Sequence, residues 1–581
     1  MYFWKKIVPK VLLVATFAMF TFAICRFLKE DIAVSALDVE QSYFEQIYIS
    51  KNVDSLQKVK LFRGDRDVYY AFMPSDMLYD AQIYFDTFES LQIGEMNYQR
   101  GDVLTDVRGD SPYTMIAKDG QGEILEEGVV QFLYSIHVPS IYIETESGTF
   151  ENINTQRNVK ESIRYATVFD DGTLDKSGQG TIKVRGNTSF HAEQKSYSIN
   201  LNSSQSLVGL NAASEWAIVA NYENAVHQLK NKIVLDLAKM MEMPYTPDAG
   251  YVNVYLNNQY NGLYLLAQKV SADGGSVKLE REDSKGNLTG PYLMEFDARY
   301  EREPVYFQTQ KKNVVVKYPK NVTEEMKTYI SDYMSQVEDS VYLKGEDEHT
   351  KYIDLNTWTS MYLLQEFFVQ HDVEFASFYL YKYADDPLIY AGPVWDFDLA
   401  YGKIYQGYYP STLQQTTWLD ERGGWLGSLD DQPKFQQCLK EKYLQVLSPG
   451  IENYLEEQLP EIVNSVVFAS WMNSQRWGRG ATDLWTDAEE LLGWIEKRKE
   501  FMDDYMANPT SYHKVQFHMD WGTLSYHVKE GNPLGFFPEA DYGEVSSGDN
   551  PSGWRDPFGN SIDESISIKE DMDLYAVYEN E

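Results

Sequence analysis

The sequence predicts an α+β protein in which a central region of strands and long amphipathic helices is flanked on both sides by small all-β segments. Three observations carry that expectation. The chain has 581 residues, 43% hydrophobic and 14% aromatic, enough for more than one true core. Short apolar runs broken by Gly, Asp and Pro turns fill residues 59–131 and again 512–578. Between them, apolar residues recur at the three- and four-residue spacing of helices over long stretches. The expected organisation is a leader over 1–30, an all-β module with its linker over 31–137, a main domain over 138–508 and a small β domain over 509–581.

Charge and cysteine content exclude several classes. With 51 basic and 88 acidic side chains the formal charge is −37. That field repels phosphodiester backbones, and no Lys/Arg-rich block offsets it, so nucleic acid is not an expected partner. Cys25 and Cys438 are the two cysteines, which leaves neither a disulfide framework nor a cysteine zinc site. At the N-terminus Lys5, Lys6 and Lys10 precede the apolar run from Val11 to Cys25, followed by Arg26 and Lys29. A basic start and an apolar run of this length read as a signal peptide or a short membrane anchor. Either directs the rest of the chain outside the membrane. Val34-Ser-Ala36 has residues small enough for cleavage but lies far beyond the run, so cleavage stays open.

In the main domain, Thr181–Val184 and Lys195–Leu201 read as two strands around the polar connection Arg185-Gly-Asn-Thr-Ser189. Asn224 is placed to cap a helix running to about Met243, with Leu229, Ile233, Leu237 and Met241 on one stripe and Pro244 past its end. Tyr251–Leu256 and Gly262–Gln268 form a hairpin about Asn257-Asn258. Further helices are expected at Glu324–Val337, Leu355–Phe368, Pro433–Val446, Ile451–Phe468 and Thr486–Tyr505, and a strand at Ser377–Lys382. In the tail, Ile566, Ile568 and the run Leu574–Tyr578 suit a half-buried sheet.

The residues able to carry chemistry are few. Lys195 shares strand parity with Tyr197, Ile199 and Leu201, so it points to the face they bury and needs an anion there. Asp236, at the edge of the helical stripe, is a candidate partner; the alternative is a snorkelling lysine and a solvated aspartate. Asp396 and Asp398 are two apart in Pro393-Val-Trp-Asp-Phe-Asp-Leu-Ala-Tyr-Gly402, so an extended backbone projects both carboxylates to one side while Phe397 anchors the other. Adjacent carboxylates repel unless a proton or cation lies between them, and a hard cation such as Mg2+ fits. An Asp-rich turn is the plainer alternative. Asp372 falls in a helix-to-strand loop, where catalytic groups and ordinary turn residues both occur. No HExxH, GxSxG, GxxxxGK[ST] or convincing GxGxxG is present, and the eight histidines lack ligand spacing. What remains, in order, is a lysine after a Gly-containing loop, a helix carboxylate, a loop Asp and an Asp pair, the set that phosphoryl transfer uses.

On these residues the sequence resembles the CotH kinase family of atypical protein kinases. The shared stretches run from Val138-Pro-Ser-Ile-Tyr-Ile-Glu-Thr145 through Lys183-Val-Arg-Gly-Asn-Thr-Ser-Phe190, Gln194–Leu201, Trp216–Asn221, Leu229-Lys-Asn-Lys232, Val254–Asn257 and Gly262–Leu266 to Pro393–Gly402. The resemblance implies a two-lobed, kinase-like domain and an ATP- and Mg2+-dependent kinase, with Mn2+ as a substitute, acting on Ser or Thr of proteins. It assigns Lys195 to the phosphates, with Arg185, Gly186 and Asn187 in the loop over the nucleotide. Lys230 and Asn231 match a basic-Asn pair that joins the nucleotide-binding set, as does Asp236. Asp372 takes the catalytic-loop role and Asp396 the metal, with Asp398 as a second ligand. Gln370-His371 departs from the family pattern, which has Asn two before the Asp. The tail from Gln516 to Tyr578 is similar to the Listeria-Bacteroides repeat of bacterial surface proteins, which implies a module for a cell-surface ligand. The competing expectation is a surface-binding protein whose kinase-like domain does not turn over.

Overall fold

A computed structural model describes residues 42–52, 55–64, 67–105, 107, 111–186, 189–220, 225–279, 287–343, 347–404, 407–408, 419, 424–478, 484–520, 522–538 and 551–578. The apolar leader, Asn187 and the capping residue Asn224 lie outside them. Among the described residues no helix is long and apolar enough to cross a membrane. The fold is α+β with several separate sheets. The chain divides into two compact units.

The first unit comprises residues up to 228 together with 248–268 and 456–487. Its centre is a closed seven-stranded barrel. The strands are β1 (Ser140–Thr145), β2 (Glu161–Val168), β3 (Leu174–Val184), β4 (Tyr197–Gln205), β5 (Ala213–Ala220), β6 (Ala249–Leu256) and β7 (Gln259–Gln268). They pair in the order β1-β2-β3-β4-β5-β7-β6, and β6 closes the barrel by pairing parallel to β1. Alternation fills the interior: Ile163 and Tyr165, Ile182 and Val184, Tyr197, Ile199 and Leu201, Trp216 and Ile218, and Tyr264 and Leu266 belong to one buried cluster. The hairpin about Asn257 and Asn258 forms as expected, with φ 46° and 72° at the two residues, the double left-handed turn that asparagine tolerates. Closure itself was not foreseen, because the pairing of β1 with β6 joins segments about a hundred residues apart. Strands between Tyr48 and Tyr134 add a six-stranded and a three-stranded sheet.

The second unit comprises 229–247, 269–455 and 488 onward. Helix α1 (Ala225–Met240) belongs to it from Leu229 onward. A five-stranded sheet follows, built from β8 (Tyr292–Phe296), β9 (Tyr306–Gln308), β10 (Asn313–Tyr318), β11 (Phe378–Lys382) and β12 (Tyr390–Ala391) in the order β9-β10-β8-β11-β12. Between β10 and β11 run α2 (Glu324–Tyr342), capped by Thr323, and α3 (Leu355–Phe367), capped by Asp354. α3 is not the amphipathic helix its sequence suggests: every residue from Thr357 to Phe367 is buried. Trp358 packs on Phe378 of β11 and on Trp425, and Tyr362 on Phe435, so neighbours cover it on more than one side. The helix expected at Pro433–Val446 is helical to Lys442 and then widens into a π turn at Tyr443–Leu447, just before Pro449, whose missing N–H interrupts the ladder. Strands among the described residues between Tyr512 and Val577 form a further five-stranded sheet around Val515, Phe517, Trp554 and Leu574. Its last strand is Met572–Val577; Ile568 is buried but precedes it.

Candidate functional site

In the second unit two loops meet. One leaves α3 and carries Asp372; the other leaves β12 and carries Asp396 and Asp398. The backbone N–H of His371 donates to Leu399 O at 2.9 Å and that of Tyr401 to Phe368 O at 2.7 Å. These bonds lay residues 368–371 along 399–401 and bring Asp372 into the neighbourhood of the Asp pair. Backbone strain concentrates here: Val369, Glu374, Ser377, Asp396 and Tyr401 all have left-handed φ, between 50° and 69°. For a β-branched residue such as Val369 that conformation costs on the order of 1–3 kcal/mol, and such strain is a mark of functional loops.

Helix α1 holds the second loop from one side. Lys230, buried, donates to Ala400 O at 2.9 Å, and Tyr401 Oη donates to Lys230 O at 3.2 Å. Asn231 Oδ1 accepts from the Phe397 N–H at 2.7 Å, while Gln370 Nε2 donates to Asp396 O at 2.7 Å. The 396–397 peptide is therefore gripped on both its faces, by α1 and by the Asp372 loop. Phe397 is 1% exposed and both flanking carboxylates face solvent. The expected division of side chains occurs, but not through an extended backbone: Asp396 sits at φ 69°. Asp396 Oδ2 accepts from Ser377 Oγ at 3.1 Å, and Asp398 Oδ1 from the Leu399 N–H at 3.0 Å. Asp372 O accepts from the Phe375 N–H at 2.9 Å, closing a turn.

Asp236 is satisfied within the same unit, by Lys232 at 2.5 Å one helical turn away and by Tyr454 Oη at 2.9 Å. Lys195 belongs to the first unit. It precedes β4 rather than lying in it, and its ammonium donates to Phe190 O at 2.7 Å and Ala192 O at 3.1 Å, over the Phe190 ring. Burial lowers its pKa below the ordinary lysine value. The sequence-based pairing of Lys195 with Asp236 is thus not how either residue is satisfied. Two local carbonyls answer the lysine, and an i,i+4 lysine answers the aspartate. Beside Lys195, Gly186 has φ 96°, and a Cβ there would meet Ser189 Oγ at 1.9 Å, so only glycine fits. Arg185 anchors the loop start through its N–H to Ser196 O at 2.9 Å.

Several residues of this site carried no sequence signal. Glu374 binds Lys312 and caps the turn Trp425–Leu426, accepting from their N–H groups at 3.0 and 2.7 Å. With Val373, Phe375, Leu419, Gly424 and Leu426 this pair lines a cavity of about 270 Å³ beside the Asp372 loop. Behind the loop the carboxylate of Glu366 pairs with the fully buried Arg498 at 2.6 Å. Glu295, pushed above the usual carboxylate range by burial, accepts from the Ser377 N–H at 3.1 Å and pairs with Lys317 at 2.9 Å. None of these partners is near its mate in sequence.

Among the described residues no three His, Cys, Asp or Glu side chains converge as a metal cage. Asp396 and Asp398 offer exposed oxygen donors alone. That set fits Mg2+, which keeps waters and takes one or two carboxylates plus phosphate oxygens, and does not fit a softer or fully caged metal.

The family model described as CotH kinase protein matches residues 182–502, more than half of the chain and a span holding every residue discussed for the site. The chain belongs to the CotH kinase family. Membership suggests a protein kinase and implies ATP, a divalent metal and a protein substrate. A search of curated proteins found no match.

Proposed function

We propose that this chain is an exported kinase that transfers the γ-phosphoryl group of ATP to Ser or Thr side chains of secreted or surface proteins, with Mg2+ or Mn2+. The observation that carries this reading is the pairing of the Asp372 loop with the Asp396–Asp398 loop inside the family-matched span. Asp372 takes the proton of the acceptor hydroxyl as that oxygen bonds the γ-phosphorus, and the bond from phosphorus to the bridging oxygen breaks, releasing ADP. A bound Mg2+ supplies charge neutralisation at the phosphate oxygens. Asp396 holds it, with Asp398 as second ligand, because both carboxylates are solvent-facing and the backbone between them is clamped. Lys195 binds phosphate once its ammonium exchanges a carbonyl for the more basic anion, and Arg185, Gly186 and Asn187 line the nucleotide. Lys230 and Asn231 serve by holding the metal-binding loop, and Asp236 steadies α1 through Lys232. The two-lobed, kinase-like organisation of residues 138–508, the Listeria-Bacteroides character of the tail and export through the N-terminal run belong to the same reading.

The test is incubation with γ-labelled ATP and Mg2+ or Mn2+, beside Asp396→Asn, with mass spectrometry to locate the phosphate. Label on Ser or Thr in the wild type alone is expected, with unchanged thermal stability of the variant. Equal labelling of both removes Asp396 from the metal role. A second reading, a surface-binding protein without turnover, draws on one observation: the ammonium of Lys195 is bonded to its own loop. No label and no nucleotide-induced stabilisation of the wild type would favour it.

A further inference from the structure

From the contact between Ser377 and Asp396 we infer that Ser377 is a positioning residue for the Asp396 carboxylate, and that Glu295 with Lys317 holds Ser377 for that task. The inference rests on Asp396 being the metal ligand. The clamps from Asn231 and Gln370 fix the Asp396 backbone but leave its side chain free to rotate, and an exposed carboxylate with free rotation is a poor ligand because binding must pay for its ordering. Ser377 Oγ donates to Oδ2 at 3.1 Å, which selects one rotamer and leaves Oδ1 open. Ser377 is a strained residue, at φ 56°, next to the first residue of β11. The conformation is maintained by Glu295 on the neighbouring strand β8, whose Oε1 accepts the Ser377 N–H at 3.1 Å. Glu295 Oε2 meets Lys317 of β10 at 2.9 Å, and Lys317 also reaches Glu303 at 3.2 Å. The line Lys317–Glu295–Ser377–Asp396 thus runs across three paired strands of the sheet to the loop, a rigid base for one carboxylate.

The experiment titrates the full chain with Mn2+ in the presence of a non-hydrolysable ATP analogue, following free Mn2+ by electron paramagnetic resonance, for wild type, Ser377→Ala, Ser377→Gly, Asp396→Asn and Ser377→Ala combined with Asp396→Asn. Glycine tolerates the left-handed backbone, so the alanine and glycine variants separate loss of the hydroxyl from strain. Both are expected to weaken Mn2+ binding roughly five- to tenfold, the worth of one ordinary net hydrogen bond at an exposed carboxylate, with analogue binding in chelator unchanged. In the Asp396→Asn background Ser377→Ala is expected to have no further effect. Wild-type Mn2+ affinity in both Ser377 variants, or an additive loss in the double variant, overturns the positioning role and leaves the kinase reading standing. Failure of the wild type to bind Mn2+ with the analogue overturns the kinase reading and this inference with it.

Discussion

Arg498→Met is the most informative perturbation of the scaffold behind the site. The guanidinium is fully buried and donates to Phe367 O at 3.1 Å, Glu366 O at 2.8 Å and Glu366 Oε1 at 2.6 Å. Glu366 Oε2 is taken by the Leu419 N–H at 2.7 Å. Methionine keeps an apolar stem but loses the guanidinium that lies over the Phe501 ring, and it leaves the last carbonyls of α3 and a buried carboxylate without that cation. The two carbonyl bonds are each worth about 1 kcal/mol. An orphaned buried charge brings the expected loss to about 3–5 kcal/mol, a large share of the 5–15 kcal/mol that holds a typical domain. Urea denaturation at pH 7.5 measures it. Adding Glu366→Gln removes the charge and is expected to recover at least half of the loss. A single-variant cost under 1 kcal/mol, or a double variant worse than the single, would refute the reasoning.

Asn231→Ala leaves the Phe397 N–H without its partner and frees one face of the 396–397 peptide; a loss of about 1–3 kcal/mol in urea, with a larger relative fall in Mn2+ affinity than in metal-free nucleotide affinity, is expected. His349 is fully buried, neither ring nitrogen finds a partner among the described residues, and burial holds its pKa below the ordinary value, with Asp347 and Lys434 as the nearby charges. The unfolded chain therefore takes up the proton first, and stability falls as pH drops below about 6.5, by at most about 1.4 kcal/mol per pH unit. His349→Phe should flatten that slope between pH 7.5 and 5.5 in denaturant titrations; an unchanged slope assigns it to other groups.

The sequence alone determined the elements that depend on local chemistry. The alternation of β4, the Asn257-Asn258 turn and the stripe of α1 are written in neighbouring residues, because strand parity, left-handed tolerance and helical period act over a few positions. The outward Asp396 and Asp398 about an inward Phe397 were legible as a pattern, but the backbone that produces it, with Asp396 left-handed, is not the extended one that local parity implies. Its ordered motifs also carried the family. Tertiary structure decided the rest. Closure of the barrel required β1 to meet β6, and burial of α3 on more than one side required Phe378, Trp425 and Phe435 to arrive from elsewhere. The partners of charged groups were likewise settled in space. Lys195 and Asp236 looked suited to one another by type, yet each is met by a nearer group. Gln370, Ser377, Glu295 and Arg498 gained their roles only when distant segments came together. A buried charge or an exposed carboxylate is satisfied by whatever donor the packing delivers, and that delivery depends on long-range contacts which no local pattern encodes.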